Sequence, residues 1–171
     1  MIAHLQGKLV EKSPTHVVIE CGGVGYHVNI SLHTYSLLPN NDFLKLHTYL
    51  QIKEDAHTLF GFVEKSEREI FKHLLSVSGI GSGIARTMLS SLDPKQIANA
   101  IASGDVITIQ SIKGIGSKTA QRVILDLKDK MLKLYDEGKY IEPTKETVHQ
   151  KDGNGFVIGI DIKNQNHLLH L

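Results

Sequence analysis

The chain has 171 residues, 41% hydrophobic and 22% charged, with a formal net charge of +1. That length and apolar content support one or two folded domains with true cores, and they exclude a disordered chain. The single cysteine, Cys21, excludes an internal disulfide, and no apolar run or N-terminal leader suits a membrane, so the expectation is a cytoplasmic protein without membrane contact.

Residues 1–62 alternate in the manner of short half-buried strands, with Leu5, Leu9, Val17, Ile19, Val28 and Ile30 among the apolar positions. Ser13-Pro14 and Cys21-Gly22-Gly23-Val24-Gly25 are breaks. Strands are predicted near 2–11, 15–21, 25–30, 44–53 and 56–62, with an irregular excursion from Leu32 to Asn41. Five such strands fit a small Greek-key barrel of the OB type, and a simple meander satisfies the same alternation. Cys21 reads as a small core residue rather than a reactive thiol. Lys53-Glu54-Asp55-Ala56 lies between two predicted strands, so Glu54 and Asp55 project at a hairpin tip. Alone this is a solvated turn; on a DNA-binding protein, two adjacent anions repel phosphates and shape which DNA conformation is accepted.

The period changes at Ser66-Glu67-Arg68-Glu69, which reads as a capping box opening a helix with Ile70, Phe71, Leu74 and Leu75 on its apolar face. A second helix carries Ile84, Ala85, Met88 and Leu89 and ends at Ser90-Ser91. Asp93-Pro94 predicts an N-cap with proline at the first helical position, ahead of Ile97, Ala98 and Ile101. Gly104-Asp105 restarts the chain for a short helix. From Lys118 a longer one follows, with Ala120, Val123, Ile124, Leu127 and Met131 on one stripe. Residues 64–133 therefore form a compact all-α region. Formal charge by region is −1 for residues 1–63, +4 for 64–133 and −2 for 134–171. A phosphate-facing surface needs such a basic excess, although a solvated helical face often carries as much.

Two of the helix junctions are copies of one another. Ser76-Val77-Ser78-Gly79-Ile80-Gly81-Ser82 returns thirty-five positions later as Ser111-Ile112-Lys113-Gly114-Ile115-Gly116-Ser117. Glycines around one aliphatic residue allow positive φ and close approach, while Ile80 and Ile115 can turn inward as anchors. Amides at the start of the next helix then suit an anion such as phosphate. One copy alone reads equally as an ordinary helix–helix turn; two copies grip one duplex strand at two places. The second adds Lys113, Lys118 and, one turn on, Arg122, whereas the first has Gly83 and Thr87 at the matching positions, with Arg86 adjacent. Candidate phosphate contacts are thus Gly79, Ile80, Gly81, Ser82, Lys113, Gly114, Ile115, Gly116, Ser117, Lys118 and Arg122.

Other chemistries fit poorly. Gly116-Ser117-Lys118-Thr119 resembles the end of a Walker A loop, yet Ser117 interrupts Gly-Lys, the earlier glycine is missing and no strand precedes it. The hairpins lack the third glycine of a dinucleotide fingerprint. Ten histidines are scattered without a ligand set, and no nucleophile elbow occurs, so neither metal, cofactor nor catalytic residue is expected. Residues 134–155 are polar, acidic and broken by Pro143, Gly153 and Gly155, which predicts a flexible linker. Phe156 to Ile162 looks like a strand with nothing to pair with.

From Met1 to about Met131 these residues resemble the RuvA subunit of the bacterial Holliday junction branch migration complex. The resemblance rests on both hairpins, on Ile19-Glu20-Cys21-Gly22-Gly23-Val24-Gly25-Tyr26 and on Glu54-Asp55-Ala56-His57-Thr58-Leu59-Phe60-Gly61-Phe62. It implies an α+β chain: an OB-fold barrel over 1–63 used in tetramer formation, then a tandem helix-hairpin-helix domain over 64–133. Four subunits, one tetramer or two, would present a basic face to a Holliday junction. The resemblance assigns Glu54 and Asp55 to an acidic pin near the crossover. It implies a non-enzymatic scaffold in recombination and repair, with the RuvB motor ATPase and the RuvC resolvase as partners. The chain departs from the family after the linker, where residues 156–171 form a short atypical tail in place of a three-helix motor-binding domain, and at Gly83, where a basic residue is common. Two alternatives follow: a truncated junction binder without motor coupling, and a helix-hairpin-helix DNA repair enzyme with Asp126 as its acid.

Overall fold

The structure, a computed structural model, describes residues 1–40, 42–136, 149–151 and 157–159. The strands β1 (His4–Lys12), β2 (His16–Cys21), β3 (Val24–Asn29), β4 (Phe43–Ile52) and β5 (His57–Phe62) close into a barrel in the order β1-β2-β3-β5-β4. That order decides between the two topologies left open by the alternation. A meander would pair strands in sequence, whereas here β1 pairs with both β2 and β4, and β3 closes on β5 in parallel through Val28↔Leu59 and Asn29↔Phe60. The inward positions Leu5, Val17, Ile19, Val28, Ile30, Leu44 and Leu46 fill the barrel.

The excursion between β3 and β4 holds a helix, α1 (Leu32–Leu37), capped by Ser31, whose Oγ accepts from the Thr34 N–H. Six residues are too few for a helical period to register in a sequence. The helices α2 (Lys65–Leu75), α3 (Ser82–Ser91), α4 (Pro94–Ser103), α5 (Val106–Gln110) and α6 (Ser117–Asp136) follow. Asp93 caps α4 as its spacing predicts, in a full capping box with Gln96, and Gly104 at φ 74° followed by the Asp105 cap separates α4 from α5.

The capping box expected at Ser66 is not formed. The helix starts two residues earlier, with Glu64 rather than Ser66 as a cap that makes no side-chain hydrogen bond, and Glu69 bonds Arg68 and Lys72 instead. Tertiary contacts set this boundary. Glu67 is fully buried and accepts hydrogen bonds from the Ser31 and Thr34 hydroxyls. Both hydroxyls already accept a backbone N–H, Ser31 from Thr34 and Thr34 from Val63. Their protons are thereby directed at the carboxylate. On the adjacent turn Phe71, with no exposure, lies among Tyr49, Phe60 and Phe62 at ring-centroid distances of 5.6, 5.1 and 5.1 Å. The barrel and the helices α1–α6 belong to one compact unit, Met1–Tyr140.

Two expectations for the C-terminal region change. α6 continues to Asp136, past the start of the expected linker. The strand β7 (Val157–Gly159) does have a partner: it pairs antiparallel with β6 (His149–Lys151), which lies inside the expected linker, through Gln150↔Ile158. These strands belong to a second unit. The rest of the linker and of the tail lies outside the described residues. Among the described residues no helix is long and apolar enough to cross a membrane, and no three His, Cys, Asp or Glu residues are grouped to hold a metal.

Burial holds the Glu67 carboxyl above the usual glutamate range, against the opposing pull of the Ser31 and Thr34 hydrogen bonds and of His33. The folded state binds this proton more tightly, so the group's contribution to stability is full below the ordinary glutamate value and is lost as pH rises through the raised one. A glutamine at this position sets an NH2 group against a hydroxyl whose proton already points at it. Glu67→Gln is therefore expected to cost about 1–3 kcal/mol. In urea titrations its deficit against wild type is larger near about pH 5 than near about pH 7. Equal deficits at both would mean that the carboxyl titrates as in the unfolded chain.

Candidate nucleic-acid interface

The repeated sequence folds as a repeated backbone. After α2 the Val77 N–H donates to the Leu74 carbonyl at 3.1 Å, and after α5 the Ile112 N–H donates to the Ile109 carbonyl at 3.3 Å. Gly79 and Gly114 take φ of +93° and +89°, a left-handed region that L side chains resist. Ile80 and Ile115 then donate to Val77 and Ile112, both at 3.1 Å, and their side chains are buried, 5% and 6% exposed. Gly81 and Gly116 each accept from the alanine four residues on, at 2.9 Å. The following helices α3 and α6 start here with first-turn amides that have no intrahelical acceptor. The anchoring isoleucines thus stand where the sequence placed them, but only the first glycine of each pair takes positive φ: Gly81 is extended at φ −89°, and Gly116 has no positive φ either.

The side chains distribute charge unequally. Lys113, Ser117, Lys118 and Arg122 are exposed on and after the second hairpin. Arg122, however, crosses over: its Nη1 donates to the Ser78 carbonyl of the first hairpin at 3.3 Å. In return, Ile84 of α3 reaches the second hairpin, where a Cβ added to Gly114 would lie 3.0 Å from its Cδ1. Each glycine turn is touched by the helix that follows the other. Arg122 therefore brings to the first hairpin the cation that Gly83 does not supply. Arg86 gives the first hairpin no such help, because its Nη1 donates to Asn29 Oδ1 at 3.1 Å and to the Thr15 carbonyl at 3.4 Å.

Glu54 and Asp55 occupy the exposed turn between β4 and β5, closed by the Lys53 N–H on the Ala56 carbonyl at 2.8 Å. Among the described residues, no hydrogen bond or ion pair joins these carboxylates to the hairpins. The connection is Gln51 on β4, whose Oε1 accepts from Ser82 Oγ at 2.9 Å. Gln51 had no signal in the sequence: it lies 31 positions from its partner and within a strand pattern. Asp126, the acid of the enzyme alternative, is exposed on α6. The cavity of about 370 Å³ between α5 and α6 is lined by Val106, Gln121, Ile124, Leu125, Lys128 and Asp129, without it.

Residues 1–61 match the family profile of the RuvA N terminal domain, and residues 71–129 that of the SAM-like helix-hairpin-helix tandem. A protein of Flavobacterium psychrophilum named "Holliday junction branch migration complex subunit RuvA" is 78% identical over 136 residues, 80% of this chain and 70% of the relative. Identically named proteins are 66% identical in Christiangramia forsetii, over 78% of this chain and 69% of the relative, and 44% identical in Amoebophilus asiaticus, over 88% and 78%.

The hairpin geometry makes its glycines unequal. Gly79→Ala and Gly114→Ala each force a side chain into the left-handed region, at about 1–3 kcal/mol. Gly114→Ala is the more costly of the two, because its Cβ also meets Ile84. Gly83→Ala, in helix α3 with open space around it, is expected to be neutral or to stabilise by up to about 1 kcal/mol. Thermal melts of the three variants measure this ranking, and a Gly114→Ala protein as stable as wild type would overturn it.

Proposed function

Because the chain belongs to the RuvA family, we propose that it is the junction-binding subunit of a branch migration complex, non-catalytic itself, acting in recombination and DNA repair. Four copies form a scaffold that holds a four-way junction open and planar while a partner ATPase drives migration. The observation that carries this reading is the pairing, within one compact unit, of two hairpins of matching backbone with an exposed acidic turn. Amides and cations at the hairpins take phosphates of the duplex arms, a contact that positions DNA without reading bases. Glu54 and Asp55, gathered from four subunits, raise the cost of leaving ordinary duplex across the centre and favour strand parting.

The charges assign roles that solution binding can separate. Lys118→Ala and Arg122→Ala each weaken four-way DNA binding and each lower the slope of log K against log salt by about one unit. A slope unchanged in both would remove direct phosphate contact. Arg122→Ala additionally affects the first hairpin, since its guanidinium stands against Ser78.

Neutralising the turn has the opposite sense. The double variant Glu54→Gln, Asp55→Asn is expected to bind linear duplex more tightly and to lose preference for the four-way form, as read by competition between the two DNAs. Retention of the full preference would refute the pin.

A further inference from the structure

We propose that Gln51 is a specificity-determining positioning residue: its hydrogen bond with Ser82 is a strut that fixes the spacing between the acidic turn and the first phosphate clamp. This rests on the function proposed above and deepens it. Ser82 is the first residue of α3, directly after Gly81, and its hydroxyl donates to Gln51 Oε1 at 2.9 Å, with both residues half-buried. Gln51 pairs with Thr58 in the β4–β5 ladder, which continues through Ile52↔His57 into the turn that carries Glu54 and Asp55. A paired ladder is stiff over so short a span, so the position of Gln51 is the position of the acidic turn.

Other side chains tie the helices of the second half to the barrel or to α1, but elsewhere. Arg68 Nη1 donates to the Ala3 carbonyl at 2.9 Å, Arg86 to Asn29 and Thr15, and Ser90 Oγ accepts from the Leu32 N–H at 3.0 Å. Among the described residues, the Gln51–Ser82 bond alone links a hairpin residue to the strand of the acidic turn. The second hairpin has no equivalent. Ser117, which matches Ser82 in the repeat, is exposed and makes no side-chain hydrogen bond among the described residues. Ser82 and Ser117 therefore differ in duty: the Ser82 hydroxyl proton is committed to Gln51, which leaves its backbone amide for phosphate.

Linear duplex engages the clamps alone, whereas a four-way junction must meet clamps and acidic turn at one fixed spacing. Loosening the strut consequently lowers affinity for branched DNA more than affinity for linear duplex. The test is titration of the full chain, by fluorescence anisotropy, with a four-way junction and with linear duplex of the same arm sequence. Gln51→Leu and Ser82→Ala are each expected to lower the four-way to duplex affinity ratio about fivefold, the strength of one neutral hydrogen bond. The double variant falls no further than either single one, and Ser82→Thr keeps the wild-type ratio. In the DNA-free protein, amide hydrogen exchange accelerates in both single variants at Lys53 and Ala85, whose N–H groups close the acidic turn on Ala56 and the start of α3 on Gly81. If Gln51→Leu is too unstable to compare, the smaller substitution Ser82→Ala carries the same readouts. An unchanged ratio, losses that multiply in the double variant, or an equal loss on duplex would overturn the strut. A wild-type chain that fails to prefer four-way DNA would instead sink the proposed function, while the exchange measurement still decides whether the strut exists.

Discussion

The joint between the barrel and α2 is the constraint on which the rest of the molecule depends. Phe71 buries its ring among three aromatic residues of β4 and β5, one turn from a glutamate enclosed by two hydroxyls. Neither half is adaptable. An aromatic cluster has few packings of equal energy, and a buried carboxylate is tolerable only while its hydrogen-bond donors stay in place. The seam therefore admits one relative placement of β-barrel and helices. Through it, two glycine hairpins and an acidic turn from separate stretches of the sequence become parts of one rigid arrangement.

Within that arrangement, repetition supplies geometry and divergence supplies chemistry. The hairpins share backbone hydrogen bonds, a left-handed glycine and a buried isoleucine. They differ in what surrounds the turn. The second carries its own lysines; the first borrows Arg122 from α6 and gives its serine hydroxyl to the barrel. A pair of clamps with the same backbone can thus hold equivalent stretches of a sugar-phosphate chain while only one is locked to the acidic turn.

The electrostatics are local rather than global. A net charge of +1 would not mark a DNA-binding protein by itself, and the long-range field of so nearly neutral a chain is weak. What matters is segregation. Cations and free amides gather at the hairpins, and two carboxylates stand on an exposed turn fixed by a ladder, so that on the function proposed above attraction and repulsion act on different parts of the same DNA. Such a pattern recognises the shape of a branched substrate, because phosphates present the same chemistry whatever the bases between them.

Most of this was legible before any coordinates. Alternation along residues 1–62 reveals five strands, the Asp93-Pro94 and Gly104-Asp105 signals mark helix boundaries, and the exact repeat of Gly-Ile-Gly exposes both hairpins, because those features arise from backbone sterics and local hydrogen bonding within a few residues. The order in which strands close, the burial of Glu67, the start of α2, the crossing of Arg122 and the pairing of Gln51 with Ser82 were not. Each depends on groups separated by 30 or more positions, and a sequence pattern of short period carries no information at that range. Chain chemistry alone determined which elements form and which residues are candidates to meet phosphate; the packing of Phe71 and Glu67 against the barrel decided where those residues stand, since only burial of shared surface couples distant segments strongly enough to select one arrangement.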